Sequence, residues 1–310
     1  EDWKLEKISN LSKVSTGGTP STSNQQYWKN GNIPWINSGE IQDNNVTNSS
    51  KYITKAGLES KHLQKLPKNT VVIGITGYVG KVGILTFETT TNQSVTGIFP
   101  SQKFISKFLF YFLISRRQYI LRFSVATAQL HINQQVVKNL LIFLPPLPEQ
   151  KQIATILSSV DDAIQKTNQI IDQTQRLKKG MMQKLLTRGV GHTKFKKTKI
   201  GEIPEEWEIK KIKDVSKLLV PLRDKPKEFV GNIPWLTLKD FDGKYVSKSK
   251  RGNNVTLETV KKMNLTIFPV GTVVYSISAT IGICSITTAK LITNQRFIGV
   301  VPTPKIDKEF

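Results

Sequence analysis

Between residues 153 and 185 apolar side chains return on a seven-residue beat. Ile153, Val160, Thr167, Thr174 and Met181 mark one row; Ile156, Ala163, Ile170 and Leu177 follow three positions later, and Leu157, Ile164, Ile171 and Leu185 four later. Steps of three, four and seven return side chains to one side of a helix, so the spacing predicts a long helix with a single apolar seam. Pro148 fits its first turn, where a missing N–H costs nothing, and Gly189 and Gly191 supply the stop. Some 38 residues at about 1.5 Å each give a rod of roughly 55–60 Å. A helix lying on a domain surface would also show one stripe. The other faces, however, are crowded with Gln, Lys, Asp and Asn. The pattern therefore reads as a coiled-coil spacer, weakened but not abolished by its two threonines, with Ile153, Leu157, Val160, Ile164 and Ile171 at the interface.

Outside this rod the pattern shortens. Runs rich in Val, Ile and Thr at 71–76, 82–87 and 272–277 alternate with Gly, Asn and Ser turns and predict strands, while "FISKFLFYFLISRRQYILRF" (104–123) predicts a helical stretch. Much of the chain is also written twice. GNIPW occupies Gly31–Trp35 and Gly231–Trp235; "EDWKLEKISNLSK" near the start is matched by "EEWEIKKIKDVSK", and "NTVVIGITGYVGKVGILTFETTTNQSVTGIFP" (69–100) by "GTVVYSISATIGICSITTAKLITNQRFIGVVP" (271–302). A period near 200 residues is too long for a solenoid and has the size of a domain plus a connector. The expected architecture is α+β: two duplicated strand-rich domains, 1–148 and 193–310, joined by a helical coiled-coil spacer at 149–192. The second copy stops at Phe310, aligned with Phe108. It is expected to lack the counterpart of its closing helix and strand and to leave apolar surface uncovered. A fragment, a truncated variant or half of a dimer would each show this.

The chain of 310 residues has a formal net charge of +22. Basic residues outnumber acidic ones 16 to 7 in 1–148, 7 to 4 in 149–192 and 22 to 12 in 193–310, so both lobes share the excess. Two matched basic lobes on a spacer suit one long polyanion gripped at two places; a lysine-rich proteome would give the same total. One cysteine, Cys284, excludes a disulfide framework and points to a reducing compartment, the cytoplasm. The longest apolar run, "FLFYFLI" (108–114), is far short of a membrane span.

Catalytic signals are weak. "GITGYVG" matches neither dinucleotide nor P-loop spacing, and copy two replaces Gly74 and Gly77 with Ser276 and Ala279. A tight β-turn survives that exchange; a phosphate cradle does not. His62, His131 and His192 lack Cys or carboxylate partners at metal spacing, and "DFDGK" (240–244) stands against "EIQDN" in the other copy. No catalytic residue and no metal ligand is assigned. Trp3, Trp35, Trp207 and Trp235, retained in both copies, read as core.

These features together resemble the specificity (S) subunit of type I restriction–modification systems. The shared elements are the W-x-x-x-x-[IL] start, the G-x-I-P-W block, the glycine turn after T-V-V, the T-N-Q segment, and "LPPLPEQKQIATIL" opening a long helix. The resemblance implies two target-recognition domains, each reading one half of a split DNA site, with helical regions setting the gap. It implies two methyltransferase subunits that flip an adenine and methylate N6, and restriction subunits joining them. Cofactors are then expected on those partners (S-adenosylmethionine, ATP and Mg) and none on this chain. Self-association through the spacer is a further expectation. Two other classes stay open: a stand-alone methyltransferase–nuclease with a hidden site, and a coiled-coil adaptor binding nucleic acid without sequence preference.

For DNA contacts the polar loop positions are the candidates, because Asn and Gln pair bidentately with adenine, Arg and Lys with guanine, and Ser and Thr with phosphate or base. They are Thr19, Lys29, Asn37, Ser38, Tyr78, Lys81, Asn92 and Gln93 in the first copy, and Arg223, Lys225, Thr237, Lys239, Lys244, Asn294, Gln295 and Arg296 in the second.

Overall fold

The computed structural model describes residues 3–126, 130–221 and 225–309. It divides into two compact units, 1–180 and 181–310, with the long helix running from the first into the second. In the first, the Val/Ile/Thr runs form a five-stranded sheet in the order Val14–Thr16, Val95–Ile98, Val71–Gly74, Val82–Leu85, Asn44–Val46. A second sheet orders Lys51–Ile53, Ile33–Ile36 and Thr90–Thr91.

The second unit repeats both sheets pair for pair. Val71↔Ile84 becomes Val273↔Ile286, Ile33↔Ile53 becomes Ile233↔Val255, and the parallel pair Trp35↔Thr90 becomes Trp235↔Ile292. The Leu66–Thr89 bridge of the first unit grows into a fourth strand, Ile267–Phe268 against Leu291–Thr293. Shared register means shared facing, since a one-residue slip would turn every side chain to the opposite side. The duplication and the α+β class expected from the sequence are therefore properties of the fold. The glycine turn is a hairpin turn: Gly77 and Gly80 have φ of +73° and +77°, and Ala279 takes Gly77's place at φ +66°. That conformation costs an L-residue about 1–2 kcal/mol, which glycine avoids.

The units differ in what lies on the five-stranded sheet. In the first, the helices Ser106–Ser115, Arg117–Leu121 and Gln134–Asn139 cover one face, and Phe104, Phe108, Leu109, Leu113, Ile120 and Val137 join the sheet residues in one core. Leu141–Leu144 then pairs antiparallel with Lys4–Lys7. Among the described residues nothing covers the matching face of the second unit. Ile8 is 1% exposed where Ile212 is 61%, and Val79 is 8% exposed where Ile281 is 71%. The uncovered apolar surface expected from the sequence is present. The opposite face is packed in both units, around Ile36, Val72 and Leu85 in one and around Leu236, Phe268 and Phe297 in the other.

The tryptophans divide. Trp35 and Trp235 are buried, as expected. Trp207 is half-buried beside His192. Trp3 is 49% exposed, and its indole N–H donates to Glu149 Oε2 at 3.2 Å. Placing Trp3 in the core is thus wrong: it precedes an edge strand whose outer side chains, Leu5 among them, are exposed.

The helix spans Leu147–Arg188, 42 residues or about 63 Å, with Pro148 in its first turn and Gly189 just past its end at φ +63°. Its base is locked to the first unit by Gln150, which is buried. Gln150 Oε1 accepts the Ile105 N–H at 2.9 Å, and Nε2 donates to the Pro145 carbonyl at 2.8 Å. One turn further on, Ala154 is buried and Ile153 packs on the same core. Two turns beyond that, the Tyr111 hydroxyl donates to Asp161 Oδ2 at 2.7 Å. Burial and then the Asp161 hydrogen bond hold the Tyr111 phenol above its ordinary pKa, so this tie is intact at neutral pH. Along the rest of the seam, Leu157, Val160, Ile164 and Ile171 are exposed.

Gln150→Ala strips a part-buried N–H and a buried carbonyl of their partner, at about 1–3 kcal/mol each. The expected outcome is a loss of about 2–4 kcal/mol in denaturant unfolding of the first unit. A loss below 0.5 kcal/mol would show that the helix base is held by other contacts.

Candidate nucleic-acid interface

Parallel strands end at the same edge of a sheet. Ile33–Ile36 and Thr90–Thr91 therefore deliver Asn37–Ser38 and Asn92–Gln93 side by side, with the Asn92 N–H donating to the Ile36 carbonyl at 2.9 Å. Thr19 joins them, its hydroxyl donating to Gln93 Oε1 at 2.5 Å. Tyr78 completes the group: a Cβ placed on Gly39 would lie 3.8 Å from its half-exposed ring. Six of the eight first-copy candidates thus gather in one loop cluster. Lys29 is exposed on the turn after Gln25–Tyr27, which packs against the helix Lys55–Ser60, and joins none of these contacts among the described residues. Lys81 is held by Asp43, Nζ to Oδ2 at 2.7 Å.

Several of the side chains have local duties. Asn37 Oδ1 accepts the Gly39 N–H at 2.8 Å and caps the turn Ser38–Glu40. Asn92 Oδ1 accepts the Ser94 N–H at 3.1 Å, and Asn294 Oδ1 accepts the Arg296 N–H at the same distance. These Asx turns shape the T-N-Q loops and occupy the side-chain oxygen as an acceptor. Gln93, Gln295 and Arg296 are exposed beside them.

In the second unit Thr237 caps the turn Leu238–Asp240. Its N–H and hydroxyl both reach Asp240 Oδ2, at 2.6 and 3.0 Å, and the buried Asp240 also accepts the Lys250 N–H at 2.7 Å. Lys239 projects from that turn into solvent. Lys225 stands 6.0 Å from the Phe229 ring centre. Lys244 pairs with Glu309 at 2.8 Å; that carboxylate and the Tyr245 hydroxyl raise its pKa above the ordinary lysine value. Arg223 lies outside the described residues. Asp43 and Arg117, both part of the ion cluster at Lys81, carry no motif that sequence reading could have found. Among the described residues no group of three or more His, Cys, Asp or Glu is placed to hold a metal ion.

The geometry is thus a scaffold written twice, with polar loops gathered at equivalent sheet edges. The family model described as "Type I restriction modification DNA specificity domain" matches residues 1–176 and 204–310. The chain belongs to this family. It is 31% identical over 223 residues to the type I restriction enzyme MjaVIII specificity subunit of Methanocaldococcus jannaschii, covering 69% of this chain and 49% of that protein. Over 166 residues it is 27% identical to the EcoR124I/EcoR124II specificity subunit of Escherichia coli, covering 52% of this chain and 41% of that protein. The chain spans about half the length, or less, of these curated relatives. In fold it is similar to a chain from a structure of type I R-M complex assembly, with TM-score 0.63, 15% identity, and 99% and 77% of the two chains covered. It is also similar to the type I S subunit from M. genitalium, with TM-score 0.53, 15% identity, and coverage of 99% and 74%.

Within this specificity-domain fold, the capping asparagines make a separable prediction. Asn37→Ala removes a cap and should cost about 0.5–1 kcal/mol in thermal unfolding; Gln93→Ala, one turn away on the exposed rim, should cost under 0.5 kcal/mol. Equal costs would mean that the two positions do the same structural work.

Proposed function

We propose that this chain is the DNA-specificity component of a type I restriction–modification complex, each lobe reading one half of a bipartite site. The observation that carries the reading is register identity combined with loop divergence. The shared strands pair in the same register, yet Asn37–Ser38 stands against Thr237–Leu238, Tyr78 against Thr280, and Ser94 against Arg296. One scaffold presents two chemistries, as two readers of different sequences require. Family membership and the shared basic excess of the lobes support it. The chain is non-catalytic. Two methyltransferase subunits would carry S-adenosylmethionine and methylate adenine N6, restriction subunits would bring ATP and Mg, and the complex would work in the cytoplasm.

The test is a methylome comparison in a host carrying the cognate methyltransferase gene, with and without this gene. A split N6-methyladenine motif dependent on the gene is expected. Alanine at Gln93, Tyr78 or Arg296 should then cost about 1–3 kcal/mol and relax one position of one half-site, while Lys239→Ala weakens binding uniformly. An assembled complex with no gene-dependent motif would favour the adaptor without sequence preference.

The exposed seam supports self-association. Residues 149–172 hold four acidic and two basic residues, whereas 173–188 hold five basic and no acidic ones, so an antiparallel partner of the same sequence would place opposite charges together. Light scattering should show a dimer that Leu157→Asp with Ile164→Asp converts to monomer. A wild-type monomer at tens of micromolar would remove this part of the reading.

A further inference from the structure

One charged constellation in the first lobe is not repeated at the matching positions Gly243 and Ile283 of the second. Asp43, at a left-handed φ of 59°, leads into the strand Asn44–Val46. Its carboxylate is met from three sides: Lys81 Nζ at 2.7 Å, the Val82 N–H at 3.1 Å, and the Arg117 guanidinium. Arg117 also donates through Nε to the Gly80 carbonyl at 2.9 Å. Its stem lies against Gly80, where a Cβ would stand 3.0 Å from Arg117 Cγ. The Asp43, Lys81 and Arg117 side chains are 21%, 34% and 26% exposed, so salt screens these pairs less than surface ones.

This cluster closes on the turn that carries Tyr78. The turn's other flank is tied to the short strand Leu130–His131 and the residue after it, by the Gly77 N–H to the Leu130 carbonyl at 3.3 Å and the Ile132 N–H to the Ile75 carbonyl at 2.9 Å. Arg117 opens the short helix Arg117–Leu121, which the fully buried Ile120 pins to the core. A rigid planar fork on a fixed base thus bridges two loops.

The second copy fastens the same turn differently. Gly243 stands where Asp43 would be and Ile283 where Lys81 would be. Ser276, in place of Gly74, donates its hydroxyl to the Thr280 carbonyl at 2.5 Å and accepts the Ile283 N–H at 3.0 Å. One turn is braced from outside by charge, the other from within by a serine.

We propose that Arg117 is a positioning residue for base reading by the first lobe: through Asp43 and the Gly80 carbonyl it fixes the 76–81 turn, and with it the Tyr78 ring and the direction of the Lys81 ammonium. Arg117 itself touches no base. The proposal rests on the reading that these loops contact DNA.

The test uses the full chain assembled with its methyltransferase partner, scoring genome-wide methylation at the cognate site against singly altered sites. Arg117→Ala should spread preference at one or two positions of one half-site by roughly tenfold and leave the other half-site sharp. Asp43→Asn should blur the same positions. Arg117→Lys should recover only part of the discrimination, because a single ammonium lacks the rigid planar fork whose Nε and Nη2 separately meet the Gly80 carbonyl and Asp43. Ser276→Ala should blur the opposite half-site. The proposal is overturned if Arg117→Ala leaves both half-sites sharp. It is equally overturned if methylation falls evenly over all sites together with the melting temperature, the signature of a merely structural arginine. A wild-type complex with no split motif would instead remove the DNA reading itself, and this proposal with it.

Discussion

The arrangement of each lobe depends on one short parallel pairing, Trp35↔Thr90 in the first and Trp235↔Ile292 in the second. Parallel strands need a crossover, and the residues between them build most of the five-stranded sheet. Because the paired strands run the same way, the loops that follow them leave on the same side, although more than fifty residues separate them in the chain. An antiparallel pairing would send those loops to opposite ends. The tryptophan at this seam is buried in both copies, and in the first its indole N–H also donates to the Gly18 carbonyl, which fits GNIPW being the most literal part of the duplication.

Much of this was legible in the sequence. Period-seven spacing gave away the rod, and Val/Ile/Thr runs gave away the central strands, because both arise from periodic burial along a single element. The duplication carried more, since two collinear copies must share their register. What stayed hidden depends on contacts between distant segments. Trp3 reads as core by retention but is half-exposed beside an edge strand. Lys81 reads as a free cation, yet meets Asp43 only because Asn44–Val46 runs beside Val82–Leu85. Thr237 reads as a polar contact and is a cap, because Asp240 three residues on turns back to it. Composition cannot separate a side chain offered to a partner from one already spent on its own loop.

The contrast between the lobes isolates the role of the helical cover. Both sheets form with the same pairing, yet among the described residues only in the first is the Ile8 and Val79 face enclosed, by Phe108, Leu109 and Leu113. The packed opposite face is common to both. The cover contributes a second core, the seat for Gln150 at the base of the rod, and the outside brace for the Tyr78 turn. In the first lobe, packing and loop placement are therefore one problem.

The Ser276 clasp carries a corollary for how such a scaffold is diversified. The clasp begins and ends within residues 276–283, and the Ile277 N–H adds the Arg296 carbonyl at the start of the neighbouring strand, so a gene segment running from 276 to 297 carries these bonds together. The turn braced by Arg117 cannot travel alone. Its shape is written in three places along the chain, and a crossover falling between any two of them would deliver the letters of the loop without its form.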